Sequence, residues 1–348
     1  MRCASGSTAH DVCSCGTCAG GYAPVISVSE KPPTELDVLT IGEAMGLFVT
    51  RQIGPLSSAH EADIRIGGAE SNVAIACARL GARAGWVGRV GDDGFGQAVV
   101  RTLRGEGVAV TVRRDRDRPT GVMVKERRTT IHQRVTYFRS GSAASVTESS
   151  DVTDQLLAST RLLHLTGITS ALSPTTRVAV RELAARARAM GVLVSYDLNY
   201  RSKLWSASDA REEYEALLPL VDILIAGLDE IALLDADITD APSAWASLRQ
   251  RGVRHLVVKD GERGAHAFTE EQAVSCAAVV VPVVDTVGAG DAFVAGYLTA
   301  FLSDQTVGGC LDRGIRAGAL ACMAVGDWEG APTTSELALL GRSDPVHR

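Results

Sequence analysis

The string Asp285-Thr-Val-Gly-Ala-Gly-Asp291 puts a carboxylate directly after two glycines and an alanine, where an apolar helical pattern begins at Ala292. Phe293, Gly296, Tyr297 and Phe301 share one helical face, and the apolar run from Val279 to Val284 reads as a buried strand leading into the turn. The backbone N–H groups of Gly288, Ala289 and Gly290 then lie at a helix N-terminus, where free donors and the helix dipole attract an anion. Asp291 admits two readings from this stretch alone. It is an N-terminal helix carboxylate interacting with the dipole, or a base built beside an anion hole.

Further polar strings are "GGAESN" (67–72), "GRVGDDGFG" (88–96), "DLNYRSKLW" (197–205) and "VKDGERGAHAF" (258–268). A Walker A loop is absent, and the turn after the first apolar run, "IGEAMG", lacks a dinucleotide-binding G-x-G-x-x-G. "KDGERG" is also an ordinary hairpin turn, and Asn72 an ordinary helix-start residue. Arg139 and Arg201 read equally as surface arginines.

These strings need a scaffold that gathers them. Apolar runs at 36–42, 82–91, 161–168, 191–200, 221–227 and 255–261 alternate with helical patterns such as "NVAIACARLG", where Val73, Ala76, Cys77 and Leu80 share a face and Gly81 stops the helix. Strands this apolar are covered on both faces, so the expected fold is α/β: a doubly wound, mostly parallel sheet flanked by helices. The strings after strand-like runs should then converge on one sheet edge. Segments 46–66 and 112–144 break the rhythm with short alternating pieces and predict a small antiparallel β-sheet lid over that edge.

Residues 1–35 form a Cys-, Gly- and Ser-rich stretch read as a flexible tail, ahead of one domain over 36–340. The spacing of Cys3, Cys13, Cys15 and Cys18 lacks the second pair of a zinc site. Cys77, Cys276, Cys310 and Cys322 lie in apolar segments and suit reduced thiols. With 46% hydrophobic and 22% charged residues in 348, the chain can bury a sizeable core. A net charge of −6 argues against nucleic acid or an anionic membrane as partner. No run is long enough to span a bilayer and no signal peptide is evident, so a cytoplasmic location is expected.

D-T-x-G-A-G-D, together with the upstream G-G-x-x-x-N and G-x-V-G-D-D-x-x-G, resembles the ribokinase-like (PfkB) family of carbohydrate kinases over about residues 36–335. The resemblance implies that Asp291 is the catalytic base and that the amides of Gly288, Ala289 and Gly290 stabilise the transferring phosphoryl group. It also implies that Lys259, Gly261 and Gly264 flank ATP. Glu230 in "GLDE" matches a family glutamate that places Mg2+ through water, although Gly227 stands where asparagine is usual. Gly68 and Asn72 would hold sugar hydroxyls.

"YFRSGSA", "DLNYRSKLW" and "GDWEGAP" are similar to the branch acting on 2-keto-3-deoxygluconate, adding Tyr137, Arg139, Arg201 and Asp327 as substrate residues. Met123 departs from a tyrosine found in some members. The expected activity is ATP-dependent phosphorylation of the terminal hydroxyl of a 2-keto-3-deoxy sugar acid. Fructose, ribose and 5-dehydro-2-deoxygluconate are the alternative acceptors. A monovalent cation and homo-oligomerisation through the lid are further expectations. A sugar-sensing protein is disfavoured by the intact D-T-x-G-A-G-D, and a dinucleotide oxidoreductase by the missing glycine fingerprint.

Overall fold

The computed structural model describes residues 35–129 and 132–340, so the cysteine-rich tail and its zinc and flexibility readings lie outside the described residues. Thirteen strands follow in chain order: β1 Leu36–Ile41, β2 Met45–Thr50, β3 Ala62–Gly67, β4 Ala84–Gly91, β5 Ala109–Asp115, β6 Val122–Arg127, β7 Gln133–Phe138, β8 Thr160–Thr166, β9 Leu193–Asp197, β10 Ile223–Gly227, β11 His255–Lys259, β12 Ala265–Thr269 and β13 Ala273–Cys276. They form a nine-stranded sheet, in the order β13-β12-β11-β10-β9-β8-β1-β4-β5, and a four-stranded sheet, β3-β2-β6-β7. The large sheet is parallel except where β12 and β13 return antiparallel beside β11.

Alternation along each strand explains the two helical layers. Ile223, Ile225 and Val257 face the helices Ala69–Arg79, Ala289–Phe301 and Val307–Ala321, whereas Leu224, Ala226, Leu256 and Val258 face Pro174–Ala189, Ala207–Leu217 and Ala241–Gln250. Each wholly buried Val, Leu or Ile contributes about 1.5–3 kcal/mol. The Ala289 helix is enclosed from Ala292 to Ala300, which fixes the direction in which its N-terminus points.

Register aligns the C-terminal ends of the central strands. Thr166 pairs with Asp197 and Gly227 with Lys259, so the polar residues beyond these strands meet at one edge.

Three expectations change. The strand β5 was expected within the small sheet but pairs with β4 at the edge of the large one; its half-exposed alternation mimics a lid strand. The small sheet is mixed, because β2 and β6 run parallel. Residues Val279 to Val284 form no strand: Val280, Val283 and Val284 are 96%, 62% and 52% exposed, so the apolar run lies on the surface. Among the described residues, Cys77, Cys276, Cys310 and Cys322 are free thiols, the first and third buried. Among them, too, no helix is long and apolar enough to cross a membrane.

Candidate active site

Between the strand ends and the inner face of the small sheet lies a cavity of about 1190 Å³. Gly68, Asn72, Tyr137, Arg139, Arg201, Glu230, Lys259, Gly288, Gly290, Asp291 and Asp327, all expected site residues, line it. Gly261 and Gly264 do not; they bracket the turn joining β11 to β12, beyond the cavity lining.

Asp291 sits in the first turn of the Ala289 helix, and its Oδ2 accepts a 2.8 Å hydrogen bond from Asn72 Nδ2. Its carboxyl is pushed up to about 7: burial disfavours the charge, Asn72 opposes that, Asp197 adds repulsion, and Arg201 and Lys259 offset it. Among the described residues the N–H groups of Gly288, Gly290 and Asp291 have no hydrogen-bond partner, whereas Ala289 N–H is turned onto Thr286 O at 3.3 Å. Of the donors expected at Gly288, Ala289 and Gly290, the first and third are free, Ala289 is bonded, and Asp291 adds a free N–H group. The N-terminal turn tightens onto Thr286 and withdraws the middle amide.

On the opposite wall, Lys259 Nζ lies 2.8 and 2.7 Å from the two oxygens of Asp197. Burial works against this ammonium, but Asp197 and Glu230 outweigh it and its pKa is raised. Glu230 is buried rather than solvated. Its two oxygens accept N–H groups of Gly227 and Tyr200, each at 2.8 Å. Asn199, at φ 39°, turns the chain to deliver the second of these, a conformation asparagine tolerates. Gly227 thus still serves Glu230 through its backbone. Burial raises the Glu230 pKa, while Lys259 pulls it down.

The arginines differ in availability. Buried Glu43 accepts Arg139 Nε at 2.6 Å, also pairs with Nη2, and accepts Ser142 Oγ at 2.5 Å. Arg139 Nη1 is left without a partner among the described residues, and the guanidinium lies over the Tyr137 ring at 5.5 Å. Arg134, Arg201 and Lys203 line the cavity with no carboxylate in ion-pairing distance among the described residues.

Asp327 is tied to Lys125, with Nζ to Oδ1 at 3.3 Å, and Lys125 also holds Asp285 Oδ2 at 2.8 Å. Burial raises the Asp327 pKa against the pull of Lys125. Sequence reading missed Glu43, Lys125, Asp197 and Asp285 as individual site residues. Glu43 and Asp197 follow or end apolar strands, and Lys125 shares the inward parity of Met123, signals that could have marked them.

A buried carboxylate beside free helix-terminal donors, with an ammonium and a buried glutamate in the same cavity, suits transfer of an anionic group to a hydroxyl. Residues 35–334 match the model of the pfkB family of carbohydrate kinases. The chain belongs to that family. It joins a large, mostly parallel sheet to a small one. It is 34% identical over 321 residues to the 2-dehydro-3-deoxygluconokinase of Bacillus subtilis (strain 168), covering 90% of this chain and 98% of that one. A PfkB protein from Polaromonas sp. JS666 superposes with a TM-score of 0.79 at 36% identity, over 87% of this chain and 99% of that one. The fructokinase of Xylella fastidiosa with bound ATP gives 0.77 at 25%, over 88% and 98%.

Proposed function

We propose that this carbohydrate kinase transfers the γ-phosphoryl group of ATP to the terminal hydroxyl of a 2-keto-3-deoxy sugar acid, as a 2-dehydro-3-deoxygluconokinase. The observation that carries the reading is the juxtaposition of Asp291 with three N–H groups that have no partner among the described residues, in a cavity whose rim holds cations without a carboxylate in ion-pairing distance among them. Asp291 accepts the hydroxyl proton as the oxygen attacks. The amides of Gly288, Gly290 and Asp291 meet charge developing on the phosphoryl oxygens. Asn72, whose Oδ1 is buried without a partner among the described residues, keeps an acceptor for a sugar hydroxyl beside the base. Similarity to the Bacillus enzyme supports the acceptor class, and the ATP held by the Xylella fructokinase supports the donor.

The donors present fit magnesium. Both Glu230 oxygens are anchored on backbone N–H groups with lone pairs to spare, and the described residues contain no three-ligand cluster, as suits an ion held mainly by phosphates and water. Magnesium supplies neutralisation of phosphate charge when bound, with Glu230 holding its waters. Lys125 already compensates Asp285 and Asp327, so we assign neither carboxylate to a monovalent cation. We place the reaction in the cytoplasm. The net charge of −6 favours small-molecule over nucleic-acid or membrane partners.

The Glu43–Arg139 pair favours a second reading, a neutral acceptor such as fructose or ribose, because Glu43 cancels the charge that would draw an acid. ADP release measured across 2-keto-3-deoxygluconate, 5-dehydro-2-deoxygluconate, fructose and ribose separates the two; turnover of neutral sugars alone removes the acid reading. If Arg139 Nη1 reads the carboxylate, Arg139→Ala should raise KM for the sugar acid roughly ten- to hundredfold, about 1.4–2.8 kcal/mol, with a smaller change for ATP. Equal losses on acidic and neutral acceptors would assign Arg139 to holding Glu43 instead.

We further propose self-association through the outer face of the small sheet. There Ile64 (64% exposed) and Phe138 (62%) share a face with Phe48, Val122 and Val124. Light scattering should give a dimer or larger, reduced to monomer in Ile64→Glu/Phe138→Glu; a monomeric parent protein rejects it.

A further inference from the structure

Lys125 carries a positive charge into the interior from β6, its side chain 2% exposed. Its ammonium reaches two chain segments 160 and 202 residues away in sequence. One is Asp285, which opens the loop ending at Asp291 and whose Oδ1 accepts Val287 N–H at 3.1 Å. The other is Asp327, whose carbonyl oxygen lies where a Cβ on Gly288 would sit, 1.8 Å from that position. The loop bearing the free N–H groups is thus gripped on one side by the Asp285 carboxylate and on the other by the Asp327 backbone, and one lysine of the small sheet holds both.

Burying such a cluster is expensive, since each ion loses several kcal/mol of hydration, and a well-packed apolar residue would fill the space at equal or better stability. What an apolar residue cannot do is set the positions of two carboxylates. We propose that Lys125 is a positioning residue for phosphoryl transfer, fixing the Asp285–Gly290 loop from the small sheet. The inference rests on the kinase reading above. Without the ammonium, Asp285 and Asp327 repel each other across a sheltered gap and the loop amides lose their fixed aim. The sheet over the acceptor and the donors around the phosphate are therefore one mechanical unit.

The test uses the full chain with Lys125→Met, which keeps an unbranched stem, and Lys125→Arg, which keeps the charge. Hydrogen exchange of the backbone is followed by mass spectrometry without any acceptor, alongside thermal unfolding and steady-state kinetics with ATP and 2-keto-3-deoxygluconate. In Lys125→Met, exchange should rise at least about fivefold at the hydrogen-bonded amides of Asp285, Val287, Ala289, Met323, Ala324 and Gly326 and stay unchanged elsewhere. kcat should fall roughly a hundredfold, as a misplacement near 1 Å can cause, with KM for the sugar acid within about threefold. Lys125→Arg should keep the slow exchange and recover at least about a tenth of kcat. Should Lys125→Met not fold, Asp285→Asn, which leaves Lys125 paired with Asp327, must show the same local exchange. A folded Lys125→Met with parental exchange and kcat, a uniform rise in exchange across the chain, or an Asp285→Asn loop that exchanges like the parent overturns the proposal. Absence of turnover on every sugar acid overturns the acceptor assignment alone, because the exchange result still judges Lys125.

Discussion

Asp291→Asn is expected to lower kcat by roughly 10³- to 10⁴-fold while leaving the fold and ATP binding intact, because an amide cannot accept the hydroxyl proton. The side chain keeps its place, since the amide oxygen can still accept from Asn72 Nδ2. The same carboxyl governs the pH profile. With its pKa pushed up to about 7, chiefly by burial, kcat/KM should climb about tenfold per pH unit below neutrality and flatten above it. The stability consequence has the opposite sense. An acid whose folded-state pKa is raised above its unfolded value of 3.8 is favourable in its protonated form, and that advantage disappears as pH rises from about 4 through about 7. Asp291→Asn removes the buried charge, so at pH 8 the variant should melt at or above the parent temperature. Near-parental turnover would remove Asp291 as the base, and a lower melting temperature at pH 8 would show that its charge is compensated in the folded protein.

The central sheet was legible because parallel strands covered on both faces are apolar throughout, as β10 is from Ile223 to Gly227. The site followed from it: whatever ends such strands must meet at one edge, which is how Asp197, Gly227 and Lys259 come together. Where exposure alternates, the same pattern serves two sheets. β5 at the edge of the large sheet and β6 in the small one look alike until pairing decides. The charge pairs were less legible for a different reason. Arg139 lies 96 residues from Glu43, and Lys125 lies 160 from Asp285, and no local periodicity encodes which carboxylate an arginine or lysine will meet. Two of the expected substrate residues, Arg139 and Asp327, turned out to be held by such partners. The loop of four successive amides was legible as a helix start, but which of them is free was not, since that depends on how tightly the first helical turn closes.

That loop also sets the second large effect, in Gly288→Ala. Gly288 caps the Ala289 helix at φ 77°, in the left-handed region, where a side chain costs roughly 1–2 kcal/mol. The strain is the smaller part. A Cβ there would stand 1.8 Å from the carbonyl oxygen of Asp327, so the loop and the C-terminal segment must part by more than about 1 Å. Parting them moves the Gly288 and Gly290 N–H groups off the phosphoryl oxygens and pulls Asp327 against its ion pair with Lys125. A displacement of that size costs roughly a hundredfold in kcat, and the strain lowers the melting temperature by several degrees. Gly290→Ala is the control, because nothing lies within 4 Å of its Cβ position. In the first helical turn alanine is better than glycine by up to about 1 kcal/mol, so Gly290→Ala should melt no lower than the parent even if its methyl crowds the phosphate. Gly288→Ala that melts and turns over like the parent would mean that the loop does not need this contact, and the aim of its amides would have to be set elsewhere.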